Sequence, residues 1–253
     1  MELTVATDLA PAGSDAPAAL RGAWQGQLTA CDGTPLAVEG LAFDAMSFSP
    51  AMFSAFDIDC PDSVARSVPK RQAEFFFGRL AARRALVRVD RALAQAQIPI
   101  GEARAPRWPR GMIGSISHTQ GLAAAVATAA RPWRGIGIDL ERVVDEKAAA
   151  ALQAIAVDAA ELAQLRALAG SQPVNALLTT VFSAKESLFK GAYAAVGRYF
   201  DFSAARVATL DPARGRLQLR LTETLCPQFV QGQVCEVGFD QVDARTVITH
   251  FVW

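Results

Sequence analysis

Four stretches of the chain bring together residue types able to handle a charged phosphorus centre or a metal ion. The first is Gly135-Ile136-Gly137-Ile138-Asp139-Leu140-Glu141. Read as a strand, its side chains alternate between faces. Ile136, Ile138 and Leu140 then share one face, and Gly137, Asp139 and Glu141 share the other. Two neighbouring carboxylates repel unless a cation sits between them, and oxygen-only donors suit Mg2+. The same spacing also describes an exposed strand edge with two solvated acids. The second stretch is Phe182-Ser183-Ala184-Lys185-Glu186-Ser187-Leu188-Phe189-Lys190. Glu186 could give a third metal oxygen and act as a general base. Lys190, one turn on, could hold a phosphate on the same helix face. The structural alternative is a Ser183–Glu186 capping box with a Glu186–Lys190 i,i+4 ion pair.

The third stretch is Gly114-Ser115-Ile116-Ser117-His118-Thr119, which holds one of only two histidines. Hydroxyls, backbone N–H groups and an imidazole can together bind phosphate oxygens. A serine-rich turn with a backbone-satisfied histidine is the plainer reading. No G-x-S-x-G elbow is present, so a serine hydrolase is not supported. The fourth is a run of arginines. Arg71, Arg79 and Arg83 fall four or eight apart and share one helix face; Arg84, Arg88 and Arg91 form another stripe. Guanidinium forks suit phosphate oxygens, although such a stripe also serves as a solvated helix face.

The elements that must position these residues are readable from periodicity. Residues 1–20 are rich in Ala, Pro, Gly, Ser and Asp and read as a loose lead-in. Strand-like pieces over 24–45 are split by an Asp-Gly turn signal. Phe76, Leu80, Val87 and Leu93 recur at roughly helical spacing over residues 70–97, with Pro99 as the stop. Two short strands around a turn near 119–121 follow, then the strand bearing Asp139. Residues 146–169 read as one helix ended by Gly170 and 173–195 as another. Alternation over 205–253 predicts antiparallel strands. Helices with short strands in each half give an α+β class.

Composition narrows the field. The chain has 253 residues, enough for one large domain or two small ones. Hydrophobic residues at 51% against 20% charged exclude a disordered chain. Twenty-five basic and twenty-five acidic residues give zero net charge, which disfavours a nucleic-acid binder. The four cysteines lack zinc-knuckle spacing and read as reduced thiols of a cytoplasmic protein. The N-terminus lacks the pattern of a signal peptide. The longest apolar run, residues 122–130, falls far short of the ~20 needed to span a bilayer.

Order and company sharpen these signals. The succession Trp108-Pro109, Gly114-Ser115-Ile116-Ser117-His118, Gly135 to Glu141, then Phe182 to Lys190 resembles the phosphopantetheinyl transferases. Within them it is most similar to the enterobactin-synthetase-component-D branch of the Sfp-type group. Glu74-Phe75-Phe76-Phe77-Gly78-Arg79-Leu80-Ala81-Ala82 looks like that branch's E-F-x-x-G-R-x-A-A motif, and Arg107-Trp108-Pro109 and Tyr199-Phe200-Asp201-Phe202 also match its habit. The likeness covers about residues 65–205.

The resemblance implies two similar, pseudo-twofold-related α/β subdomains with the active site in the cleft between them. Their expected extents are 21–134 and 135–253, the second carrying the metal-binding and catalytic motifs. It implies a monomer that transfers the 4′-phosphopantetheine arm of coenzyme A to a serine of an apo acyl, peptidyl or aryl carrier protein, releasing 3′,5′-ADP. Siderophore, non-ribosomal peptide or related biosynthesis is the implied setting. By the same resemblance Asp139, Glu141 and Glu186 hold Mg2+, and Mn2+ would suit the same oxygens. Glu186 accepts the serine proton, directly or through water, and Lys190 contacts the phosphate. Ser117, His118, Arg71 and Arg79 contact coenzyme A phosphates. A metal-dependent phosphohydrolase, or a non-catalytic carrier-protein or nucleotide-binding module, stands as the alternative. No nucleic-acid partner and no membrane span are expected.

Overall fold

The computed structural model describes residues 17–30, 32–170 and 172–253. Most of the expected lead-in and Cys31 lie outside the described residues. The chain forms two compact units: one from residues up to 28 and 35–134, the other from 29–34 and 135–253. Cys60 and Cys226 are free thiols.

The first unit is built on a four-stranded sheet in the order β1-β2-β4-β3. Its strands are β1 (Leu20–Thr29), β2 (Pro35–Phe43), β3 (Met112–Thr119) and β4 (Leu122–Ala129). Two short helices, α1 (Ala51–Ala55) and α2 (Asp62–Ala65), precede the long helix α3 (Pro69–Val89). Pro69 sits at the first helical position, where its missing N–H costs nothing and its φ is already set. Helix α3 lies across the sheet, against β4, β2 and β3. The central strand β4 offers it only methyl groups from the facing positions: Ala123, Ala125 and Ala127 are buried against it. The volume comes from the helix side. Phe77 stacks on Phe43 with ring centroids 4.5 Å apart, and Phe76 meets Phe48, Phe53, Phe56 and Phe77. The helix stops at Val89 rather than near Pro99. Asp90 leaves helical φ/ψ, and its carboxylate accepts from the Ala92 N–H to start a separate 3-10 turn over Arg91–Leu93. Asp competes for the backbone in this way wherever it can cap.

The second unit carries a five-stranded antiparallel sheet in the order β5-β9-β8-β7-β6. The strands are β5 (Ile136–Arg142), β6 (Ala205–Asp211), β7 (Arg216–Leu221), β8 (Val234–Asp243) and β9 (Thr246–Val252). Helices α4 (Glu146–Ala156), α5 (Ala159–Leu168) and α6 (Val174–Val196) complete it. The single helix expected over 146–169 is two. Asp158 breaks it and caps α5: its side chain accepts from Glu161 N, and Glu161 reaches back to Asp158 N at 2.9 Å. This reciprocal D-x-x-E box satisfies two otherwise orphan donors. Helix α6 packs on β5 and β9, burying Leu177, Leu178, Val181 and Leu188 against Leu217, Leu219 and Val237. It ends at Gly197 in the left-handed region, φ 70°.

The contact of α6 with β5 is backbone on backbone. A Cβ at Gly137 would overlap the carbonyl oxygen of Ser187 and lie 2.6 Å from the Gly191 nitrogen. Neither atom is a flexible side chain that could move aside. Gly137→Ala is therefore expected to cost about 2–3 kcal/mol, the range of core overpacking, and to lower Tm by about 5–10 °C. Gly22→Ala, where no atom lies within 4 Å of the new methyl, serves as the control and should stay within ~0.5 kcal/mol of wild type. Urea denaturation of the two variants checks this.

Candidate active site

The acid-bearing face of β5 is the face covered by α6. Asp139 is 4% exposed, so the solvated strand edge allowed by the sequence is not what forms. In register, Asp139 lies beside Thr249 of β9 and Glu141 beside Val247. Helix α6 is fixed over this pair from two of its turns. Ser183 and Ser187, one turn apart, place both hydroxyl oxygens on Thr249 Oγ1, at 2.9 and 2.6 Å. Ser183 is thus a buried mid-helix residue bonded across to the sheet, and the Ser183–Glu186 capping box does not exist. The helix starts at Val174, and its N-cap residue is Pro173, ten residues before Ser183.

Lys190 is held where the glycines let α6 approach. Its ammonium donates to Asp139 Oδ1 at 2.6 Å and to the Ile138 carbonyl at 3.1 Å. Glu186 stands one turn before it. Burial raises the Glu186 pKa and Asp139 raises it further, while Lys190 opposes the rise. Glu141 is pushed up to about 7, first by burial and then by the Asp139 charge, with Lys190 again opposing and Glu186 adding. Asp139, Glu141, Glu186 and Lys190 therefore form one electrostatic group, drawn from β5 and α6. It carries more carboxylates than cations in a poorly solvated place. Three oxygen donors with excess negative charge are the chemistry that a hard dication completes. Among the described residues no three His, Cys, Asp or Glu side chains converge on one point; Lys190 supplies the counter-charge in this arrangement.

The first unit holds a cavity of roughly 360 Å³, lined among others by Arg71, Glu74, Phe75, Arg79, Arg104 and His118. Arg71 Nη1 is 2.8 Å from His118 Nε2. A guanidinium only donates, so Nε2 accepts and the imidazole proton sits on Nδ1, which faces Glu74 Oε2 at 3.8 Å. Arg71 Nη1 lies 3.6 Å from the same carboxylate oxygen. The Arg79 guanidinium stacks on the Phe75 ring at 4.5 Å, and its buried Nε has no hydrogen-bond partner. Burial, then repulsion by Arg71, lowers its pKa to about 10. A cavity with three arginines and a histidine, one donor still unsatisfied, is built for an anion.

Arg71, Arg79 and His118 are thus brought together as the sequence suggested, but Ser117 is not among them. On β3 successive residues point to opposite faces; Ile116 and His118 line the cavity, so Ser117 turns to the other face. Arg83, Arg84 and Arg88 serve the fold instead. Arg83 donates to the carbonyls of Phe56 and Asp57, and Arg84 and Arg88 flank the buried Glu39 at 3.3 and 3.4 Å. Glu74 and Phe75 stood out in the sequence only as part of the Glu74–Ala82 motif, with no site role, and Arg104 did not stand out at all. Glu74, three residues after Arg71 on the same helix, carried a legible signal. Arg104 carried none, because it reaches the cavity from a loop where Ala103 and Arg104 both have positive φ.

Similarity to known proteins points to a single family. The description 4′-phosphopantetheinyl transferase N-terminal domain matches residues 61–128, and 4′-phosphopantetheinyl transferase superfamily matches residues 135–244. The chain is similar to enterobactin synthase component D of Salmonella typhi, 32% identical over 222 residues, covering 86% of this chain and 91% of that protein. It is 37% identical over 158 residues to the 4′-phosphopantetheinyl transferase Svp of Streptomyces mobaraensis, covering 62% of each. To the transferase PptT of Mycobacterium tuberculosis it is 31% identical over 169 residues, 67% of this chain and 71% of that one. No helix among the described residues is long and apolar enough to cross a membrane. With an α+β architecture, a buried acid–lysine group on β5 and α6, and an arginine–histidine cavity, the chain belongs to the 4′-phosphopantetheinyl transferase superfamily, in its enterobactin synthase component D branch.

Proposed function

We propose that this enzyme moves the 4′-phosphopantetheine arm of coenzyme A to the serine of an apo carrier protein through the acid–lysine group of β5 and α6. The carrier serine oxygen forms a bond to the phosphorus that bears pantetheine. The bond from that phosphorus to 3′,5′-ADP breaks, and ADP leaves with the electron pair. The observation that carries the reading is the company of Glu186 and Lys190 one helical turn apart, both beside Asp139. Glu186, made more basic by burial, takes the serine proton, directly or through one water. Lys190 neutralises charge on the departing phosphate. Asp139, Glu141 and Glu186 are the residues assigned to Mg2+ or Mn2+, which when bound supplies electrostatic stabilisation of the pyrophosphate. In the first unit Arg71, Arg79 and His118 bind coenzyme A phosphates. The enzyme then works as a cytoplasmic monomer on acyl, peptidyl or aryl carrier proteins of siderophore or non-ribosomal peptide synthesis.

Glu186→Gln keeps the shape of the side chain and removes its charge. It is expected to cut single-turnover transfer at least about a hundredfold, the low end for a general base, with Tm little changed. Mass spectrometry of the apo carrier protein checks this, and near-normal transfer would remove the residue from the mechanism. Lys190→Met should likewise slow transfer.

His118→Ala should weaken coenzyme A binding by roughly ten- to a hundredfold, as expected for one hydrogen bond to a charged group worth ~1.5–3 kcal/mol. Isothermal titration measures it, and unchanged affinity would return His118 to a structural role.

The raised Glu141 pKa has a sign that can be tested. Between its unfolded value of 4.5 and about 7 the folded protein holds a proton that the unfolded chain has lost. Stability from this group is present below pH 4.5 and is lost as pH rises towards 7. The metal-free protein should therefore lose stability over that window, and Glu141→Gln should flatten the slope. Urea titrations at pH 5, 6 and 7 with a chelator present read it directly; identical slopes would mean that Glu141 titrates normally.

A further inference from the structure

Lys185 precedes Glu186 on α6, and one residue of helix turns it about 100° away. It is 4% exposed. Its ammonium donates to the carbonyl of Ala156, the last residue of α4, at 2.8 Å and to Glu161 Oε1 at 3.0 Å. Glu161, 5% exposed, is equally committed. Its Oε1 also accepts from Val207 N of β6 at 2.8 Å, and its Oε2 accepts from Asp158 N at 2.9 Å. One ion pair thus fastens the end of α4, the start of α5 and strand β6 to α6, at the level of Glu186. On the sheet side the same two turns of α6 are fixed by Ser183 and Ser187 on Thr249.

A buried ion pair is a poor device for stability alone, because well-packed apolar residues of similar volume often do as well. What it adds is one allowed geometry. Side chains reach about 5–6 Å from a helix axis, so a rotation of roughly 10° would carry the Glu186 carboxylate about 1 Å. Misplacement of that size can cost on the order of a hundredfold in rate.

We propose that Lys185 and Glu161 are a positioning pair for the transfer reaction, fixing the rotation of α6 and hence the placement of Glu186, without touching substrate. This rests on the proposed role of Glu186. The test is a double-mutant cycle on full-length protein, with Lys185→Met, Glu161→Gln and the double variant assayed for transfer to an apo carrier protein. Amide hydrogen exchange over residues 183–190 is followed in parallel. The expected result is a ten- to hundredfold fall in kcat for each single variant, KM for coenzyme A within about threefold, and a double variant no worse than the poorer single. Exchange over 183–190 should quicken in all three. If the single variants do not fold, the double variant, which leaves no charge unpaired, decides alone. A loss confined to Lys185→Met would mean that Lys185 contacts substrate, and wild-type kcat in the variants would mean that the pair positions nothing; either overturns the proposal. Failure of the double variant to fold would also overturn it, by making the pair a support of the whole unit. Wild-type protein unable to modify the carrier would sink the transferase mechanism instead, and the exchange data would still decide whether the pair orders α6.

Discussion

Everything in the second unit hangs on the approach of α6 to β5 at Gly137 and Gly191. Without side chains at these two points the helix backbone lies on the strand backbone. That contact fixes the distance between a strand that carries Asp139 and Glu141 and a helix that carries Glu186 and Lys190. It lets Lys190 reach both Asp139 and the Ile138 carbonyl. It also brings the Trp253 indole N–H to the Gly191 carbonyl at 2.9 Å, tying the end of the chain to the same spot. A helix held one methyl group further out would leave Glu141 and Glu186 more solvated, their pKa values nearer normal, and the lysine out of reach.

The site is a compromise between stability and chemistry. Three carboxylates share a partly buried space with one lysine, and the raised pKa of Glu141 measures the discomfort. Desolvation makes Glu141 and Glu186 more basic and more eager for a cation. The surrounding structure absorbs this with neutral hydrogen bonds. Thr249, Ser183 and Ser187 hold the helix on the sheet without adding charge, which would shift the acids again.

The strand with Asp139 was legible because its alternation is short and unbroken, and because glycine at 137 sits on the same face as the acids. The long α6 was legible too. Its internal Ser183 left a capping-box alternative open because S-x-x-E is a local pattern, whereas Ser183's partner, Thr249, lies 66 residues away. The break between α4 and α5 was present in the sequence as Asp158 and Glu161. It was overlooked because alanine-rich segments keep an apolar rhythm on either side. The Asp90 stop was hidden in the same way by Leu93 and the apolar residues around it. Arginine stripes could not be sorted by spacing. Arg79 and Arg83 share a helix face, yet one stacks over a phenylalanine in the anion cavity and the other satisfies loop carbonyls. Only the position of the neighbouring loop separates those roles.

The alanine strand β4 leaves the first unit with a lopsided core. Strand positions are already at the minimum size, so almost any replacement there must grow, and growth meets the α3 phenylalanines head-on. Helix positions are at the maximum, so replacements there must shrink and leave voids that alanines cannot swell to fill. Tolerance to mutation in this core should therefore depend on paired changes, a smaller ring on α3 matched by a valine or isoleucine on β4. Natural drift in this half of the molecule would then travel along a ridge of compensating substitutions, keeping total volume constant while the residues that carry it trade places between helix and sheet.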